Sequence, residues 1–338
     1  MDLPVATIFF VIFTAVIGVA GTRLSKTADQ FADLTGLGEA MVGGVLIGSI
    51  NSLAGTITSI TAAYQNHPEL AVSNAVGGIL AQTTFLAFAD ISYKKANLEH
   101  AAASYPNLMH GTLLIIMLSF IFLITFSPEF SVKGTNPASI LMIIGYIAGV
   151  RMIWKAKRRS MWVPKSTAST VEDLVLYVED GDLSKKSVTI KFFILAAIVA
   201  FSGYVVAETG IVIAAETRLS ETIVGGLFTG VATALPELIV TFTAVRQGAL
   251  TLAVSNIIGG NTFDVLCVAF SDIAYLNGSI YHALARAQLL IIAMTLMHVS
   301  ILVMGLLDRE KHGIAGIGWE SFLIIVLFVG GYALIIFS

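Results

Sequence analysis

The sequence predicts an all-α polytopic membrane protein of about ten transmembrane helices, arranged as two repeats of opposite orientation. Three observations carry that expectation. The chain is 56% hydrophobic and only 12% charged, too apolar for a domain that must cover itself with polar surface. Its apolar residues gather in windows of about 20, the length a helix needs to cross the hydrocarbon core. A segment early in the chain also recurs at an offset of 182 residues, Glu39 falling on Glu221.

Taken in order, windows bounded by charge, Pro, Asn and Gly predict spans at 4–22, 40–64, 69–91, 108–127, 137–154, 189–214, 221–245, 250–275, 284–306 and 318–337. Asp2 precedes the first where a signal peptide would carry Lys or Arg, and no small-residue cleavage pattern follows, so it reads as a retained helix. A hydrophilic stretch, 155–188, separates a first half, 1–154, from a second, 189–338. It is basic at first (Lys155, Lys157, Arg158, Arg159, Lys165) and then acidic (Glu172, Asp173, Glu179, Asp180, Asp182). The acidic part lacks the spaced Asp, Gly and Glu of a Ca²⁺ loop, which leaves a solvated linker.

Ten spans place alternate loops on one side. One set holds Arg23, Lys26, Lys94, Lys95, the basic cluster, Arg246, Arg309 and Lys311, and the other little beyond Lys133, Arg218 and Arg286. The excess of positive charge makes the first set cytoplasmic. The linker is then cytoplasmic, and both termini face away from the cytoplasm of a plasma (inner) membrane. The expected partners are the lipid bilayer and inorganic cations. A net charge of −3 argues against nucleic acid, and without a Gly-rich phosphate loop or nucleophile elbow neither an ATP-driven pump nor an enzyme is expected. With Cys267 the single cysteine, neither a disulfide nor a thiolate metal site is expected within one chain. Nothing signals a permanently bound cofactor or an oligomeric state.

The repeat aligns 38–93 with 220–275 without a gap. Glu39, Val42, Gly43, Gly44 and Gly48 fall on Glu221, Val224, Gly225, Gly226 and Gly230; Leu70-Ala71-Val72-Ser73-Asn74 recurs as Leu252-Ala253-Val254-Ser255-Asn256. Gly77-Gly78 recurs as Gly259-Gly260, and Phe88, Asp90, Ile91 and Tyr93 as Phe270, Asp272, Ile273 and Tyr275. Shared Asn, Ser, Asp and Gly mark a duplication where shared aliphatics alone would not. The copies begin at the second and seventh spans, an odd number of crossings apart, so they enter the membrane from opposite sides. An inverted repeat places a substrate site near the midplane, where irregular backbone lines a cavity.

Within 221–245, Thr229, Thr233, Glu237 and Thr241 recur every four residues and share a helical face. A carboxylate amid an apolar span costs a few kcal/mol or more unless water, a cation or a proton compensates it, which makes Glu237 a functional candidate. Pro236 cannot donate to the carbonyl of Ala232 and opens the helix beside it. Freed carbonyls and carboxylates are hard ligands suited to Na⁺, Ca²⁺ or Mg²⁺. The next span adds Asn256, Gly260, Asn261 and a second carboxylate, Asp264. In the first copy Gly55 stands opposite Glu237, Ala54 opposite Pro236, Gln82 opposite Asp264 and Ile79 opposite Asn261. What remains there is uncharged: Asn51, Ser52, Thr56, Ser59, Ser73, Asn74 and Gln82. His298 and Glu208 also lie inside spans as possible proton relays, although such lone polar residues more often pack against a neighbouring helix. Glu39, Glu221, Asp90 and Asp272 repeat near helix ends, where capping explains them.

The residues Gly230-Val-Ala-Thr-Ala-Leu-Pro-Glu237 resemble a signature of the cation/Ca²⁺ exchanger superfamily, which includes the Na⁺/Ca²⁺ and H⁺/Ca²⁺ exchangers. Ser255-Asn256-Ile-Ile-Gly259-Gly260-Asn261-Thr-Phe263-Asp264 resembles the signature of its following helix. The resemblance implies ten helices in two inverted five-helix halves, with ions held between the second, third, seventh and eighth. Carried over, it places ligands at Thr233, Glu237 and Asp264, and at Asn51, Ser52 and Gln82 in the first copy. This chain departs from the family at Gly55, where a second signature carboxylate is usual, and at Gly78 and Gly260, where a Ser is common.

The leading expectation is a secondary antiporter exchanging Ca²⁺, or another divalent cation, for Na⁺ or H⁺. With Glu237 and Asp264 both ionised, one divalent or two monovalent ions neutralise the site, which predicts electroneutral exchange with protons competing. The lost acid at Gly55 supports a rival, a Na⁺ or K⁺ antiporter against H⁺. A third reading is a degenerate repeat serving as a non-transporting sensor or partner-binding membrane protein.

Overall fold

The computed structural model describes residues 1–35, 48–93, 96–102, 104–132, 134–158, 163–165, 167, 170, 184–311, 313 and 318–337. Glu39, Lys94, Lys95, Lys133, Arg159 and the acidic part of the linker lie outside them. The described residues are helical, without a strand, and hold one isolated bridge between Val132 and Thr135. In order they form α1 (Leu3–Thr35), α2 (Leu53–Tyr64), α3 (Pro68–Ser92), α4 (Leu98–Ala101), α5 (Tyr105–Thr125), α6 (Pro137–Arg158) and α7 (Lys185–Thr217). The rest are α8 (Glu221–Thr233), α9 (Leu235–Gln247), α10 (Leu250–Asp264), α11 (Leu266–Ala274), α12 (Arg286–Asp308) and α13 (Trp319–Phe337).

Eight described helices are long and apolar enough to cross a membrane, and nine if the bent pair α8 and α9 is one span. Of the expected second span, 40–64, only the part from residue 48 is described, all of it helical apart from a turn at Ser52. The largest difference from expectation is α1, which runs to Thr35 instead of 22. Arg23, Lys26 and Asp29 end an apolar window, but charge does not break the i to i−4 ladder, and no Pro or Gly cap stops it. For the same reason α6 continues through Arg158 and α7 starts at Lys185. The connection between them is therefore 159–184, shorter than 155–188. Helices α1 and α7 have 33 residues each and pack side by side. Each is about 50 Å long, more than about 30 Å of hydrocarbon, and so must tilt or project.

Polarity is distributed inside out relative to a water-soluble bundle. In the most apolar stretch of α3, 94% of residues are buried, against 22% in α1. Yet α3 carries Ser73, Asn74, Gln82, Thr83 and Thr84, all buried. Lipid is as apolar as Leu, so apolar side chains gain nothing by turning inward, while polar ones find partners only there. Helix α3 is consequently central, touching α2, α8, α10, α12 and α13.

Close approach of α3 and α8 depends on glycine. A Cβ on Gly77 would lie 2.3 Å from the Cα of Gly226, and one on Gly230 would lie 2.9 Å from Gly78 N. Backbone cannot yield as a side chain can, so we expect Gly77→Ala to cost at least the upper end of the overpacking range, about 3 kcal/mol. A lowered thermal midpoint in detergent would show it. Gly145→Ala on α6, with nothing within 4 Å, is the control and should not move.

Helix α8 begins at the end of the molecule where α2 stops. Glu221 Oε2 accepts from Leu70 N at 3.2 Å, and its Oε1 lies 2.6 Å from His67 Nδ1. Glu221 thus caps a helix, as its position suggests, but the helix is α3. Asp90 and Asp272 are caps too, each for the short element eight residues on: Asp90 accepts from Leu98 N at 2.6 Å, Asp272 from Ile280 N at 2.9 Å.

Candidate functional site

Where α8 gives way to α9 the axis turns by 49°. Pro236 has no N–H for the carbonyl of Ala232, so the helix stops at Thr233 and restarts at Leu235. Glu237 then falls in the first turn of α9, where free N–H groups favour negative charge. The first copy is interrupted at the equivalent place, since the turn residue Ser52 stands 182 before Ala234, with no proline to cause it. Side-chain amides secure both bends. Asn74 Nδ2 donates to Gly55 O at 3.1 Å and Ser59 Oγ at 2.9 Å, and Asn256 Nδ2 makes the equivalent bond to Thr241 Oγ1 at 3.2 Å.

Between the bends lies a small cavity, about 10 Å³ as swept by the centre of a water-sized sphere, room for a single water or ion. Ser52, Gly55, Asn74, Ala75, Gly78 and Gln82 line it from the first copy, and Thr233, Glu237, Asp264 and Cys267 from the second. Gln82 Nε2 donates to Asp264 Oδ2 at 2.8 Å; the two are equivalent positions, 182 apart, so the bond ties one copy to the other. Glu237 Oε2, Gln82 Oε1 and Asn74 Oδ1 accept no hydrogen bond, although their residues are only 2%, 3% and 1% exposed. An orphaned acceptor away from water costs about 1–3 kcal/mol, and three around one void form a shell that a cation would satisfy. Among the described residues no three His, Cys, Asp or Glu side chains converge closely enough to hold a metal unaided, so neutral oxygens must complete any coordination.

Six of the residues picked from sequence therefore meet at the cavity: Glu237, Asp264, Thr233, Ser52, Gln82 and Asn74. The other six stand back from it. Asn51 Nδ2 donates to Asn256 Oδ1 at 3.3 Å and Asn261 Nδ2 donates to Thr83 Oγ1 at 3.1 Å, although Asn51 Oδ1 and Asn261 Oδ1 are themselves without a partner. Ser73 packs on Gly225. Thr56 Oγ1 lies 3.2 Å from Cys267 Sγ. Thr229 was expected on the Glu237 face but bonds Gly225 O at 2.9 Å within its own helix. A π-helical turn over Val224–Thr229, wider than an α turn, and the bend after Thr233 together undo the four-residue stacking. Neither proposed relay reaches the cavity. His298 Nδ1 bonds Met294 O at 2.8 Å, and Glu208 accepts from Gln65. Reasoning from sequence passed over Ala75 and Cys267 as liners. Cys267 was detectable, one turn beyond Asp264 on the same face.

In a helical membrane protein, two buried carboxylates beside an ion-sized void mark a candidate cation site. The chain belongs to the sodium/calcium exchanger protein family, a family of secondary transporters, which it matches over residues 5–155 and again over 187–337. It is similar to "Putative antiporter CaxA" of Alkalimonas amylolytica, 23% identical with 99% of each chain covered. Its fold is that of "H+/Ca2+ Exchanger CAX", with a TM-score of 0.70 at 15% identity, covering 97% of this chain and 82% of that one. The sodium-calcium exchanger NCX_Mj shares the fold with a TM-score of 0.60 at 16% identity, covering 98% and 99%.

A second group of acids lies away from the cavity, where α4 meets the start of α13. Glu99 and Glu320 are each 1% exposed, and Asp90 binds Gly318 N beside them at 3.3 Å. Burial, then the carboxylates of Asp90 and Glu320, push Glu99 well above the ordinary carboxylate range. A raised acid contributes stability that is complete below its unfolded value and is lost as pH rises toward the folded one. We therefore expect Glu99→Gln to melt higher than wild type at about pH 9 and to match it at about pH 4, below the unfolded value. A constant difference across that range would contradict this.

Proposed function

We propose that this chain is a secondary active antiporter that exchanges Ca²⁺, or another divalent cation, for Na⁺ or H⁺ by alternating access to a site near the membrane midplane. One observation carries the reading: Glu237 and Asp264, from one copy, and Gln82 and Asn74, from the other, line a void the size of one ion, with Glu237 Oε2, Gln82 Oε1 and Asn74 Oδ1 unpartnered. Ca²⁺ takes six to eight oxygens, and the two carboxylates, two amides, Ser52 and Thr233 can furnish them. Ten helices in two inverted five-helix halves, with the linker cytoplasmic and both termini on the other side, fit the repeat and the meeting of Glu221 with Leu70. They also fit the two family matches, one per half.

The test is uptake of radioactive Ca²⁺ by proteoliposomes under an imposed Na⁺ or H⁺ gradient. Uptake that follows either gradient supports the proposal; none with Ca²⁺, Mg²⁺ or Mn²⁺ overturns it. Gly55 favours one alternative, a monovalent cation antiporter against H⁺, because the first copy lends the cavity no charge. Gradient-driven Na⁺ or K⁺ flux without divalent flux would select that reading.

A further inference from the structure

We propose that Cys267 makes the cavity a site for soft, thiol-seeking divalent cations, Cd²⁺ foremost, in preference to Ca²⁺. This rests on reading the cavity as a cation site and names a cation class within it.

The side chain is 1% exposed and lines the void together with Asp264, one helical turn before it. The same void is lined by Glu237, Gln82 and Asn74, whose orphaned oxygens call for a positive ion whatever the sulfur does. The first copy offers Gly55 in place of an acid, so the thiol is the one added donor able to become an anion. Thr56 Oγ1 lies within hydrogen-bonding distance of Sγ, at 3.2 Å. Hard cations such as Ca²⁺ and Mg²⁺ take oxygen and ignore sulfur, while softer ones gain from a thiolate. Since among the described residues no three acidic or thiol groups converge, the thiolate acts with one carboxylate and neutral oxygens. Binding breaks the S–H bond, forms a Cd–S bond and releases the proton to water, with no change of oxidation state.

Because Cys267 is the only cysteine, sulfur-to-cadmium charge-transfer absorption of the whole purified protein reports this residue alone. We expect the ultraviolet band on titrating wild type with Cd²⁺, its weakening in Glu237→Gln, and its absence in Cys267→Ser and Cys267→Ala. In proteoliposomes the potency of Cd²⁺ against Ca²⁺ uptake, relative to the apparent affinity for Ca²⁺, should fall at least about tenfold in both cysteine variants. Absence of the band in wild type, or an unchanged ratio in both variants, overturns the inference while Ca²⁺ exchange stands. Failure of Ca²⁺ exchange in wild type, with the band present, instead sinks the proposed function and leaves soft-metal binding in place.

Discussion

Glu237→Gln is expected to abolish exchange, with Ca²⁺ uptake falling about 10²–10⁴-fold. Glutamine keeps the shape of the side chain but removes its charge and replaces one acceptor oxygen with an N–H donor group. A buried cation that loses one of two counter-charges forfeits about 3–5 kcal/mol, and each 1.4 kcal/mol is a factor of ten. Asp264→Asn should do the same, and it also puts an amide where Gln82 Nε2 now donates at 2.8 Å. Neither substitution should unfold the protein, since each removes a charge that is costly to bury without a cation. A thermal midpoint equal to or above wild type, together with lost flux, separates this expectation from misfolding. Either variant retaining more than about half of wild-type exchange would contradict the assignment of its carboxylate.

Voltage provides the other large effect. On the proposed reading, one divalent or two monovalent ions neutralise the two carboxylates, and a full cycle would move no net charge. Wild-type exchange should therefore be indifferent to an imposed membrane potential. Gly55→Glu restores an acid to the first copy. A Cβ at position 55 would sit 3.5 Å from Thr233 Oγ1 and 3.9 Å from Asn74 Nδ2, ordinary contacts, so the new side chain can begin without displacing its neighbours. Three negative charges then call for unequal charge in the two occupancies. One charge carried through about 100 mV is worth about 2.3 kcal/mol, a factor of about fifty in rate at most. The measurement is uptake with and without a potassium diffusion potential. Clear voltage dependence in wild type, or none in an active Gly55→Glu variant, would dismiss this account of charge balance.

Much of this was readable from residues in order. Apolar windows located every described span to within a few residues wherever Pro or a polar cluster bounded it, as at Pro68 and Pro137. They failed at the end of α1, because Arg23 and Lys26 change hydropathy without disturbing backbone hydrogen bonds. Glu237 and Asp264 stood out for a related reason: charge within oil is costly wherever it lies, so its presence is informative without coordinates. The uncharged candidates were not separable in this way. Asn74 and Asn51 look alike in sequence, yet one lines the cavity and the other bonds Asn256, a partner 205 residues away.

By itself the sequence determined the class of protein, the duplication and the two acidic residues, because hydropathy, repetition and charge are sums over neighbours in the chain. Only the tertiary structure decided which neutral oxygens line the cavity with those acids, and that Gln82 bonds its own repeat equivalent. Those outcomes depend on how the two copies cross. The crossing is set by Gly77 against Gly226 and by the bends at Ser52 and Ala234, contacts between residues far apart in the chain that no local pattern records.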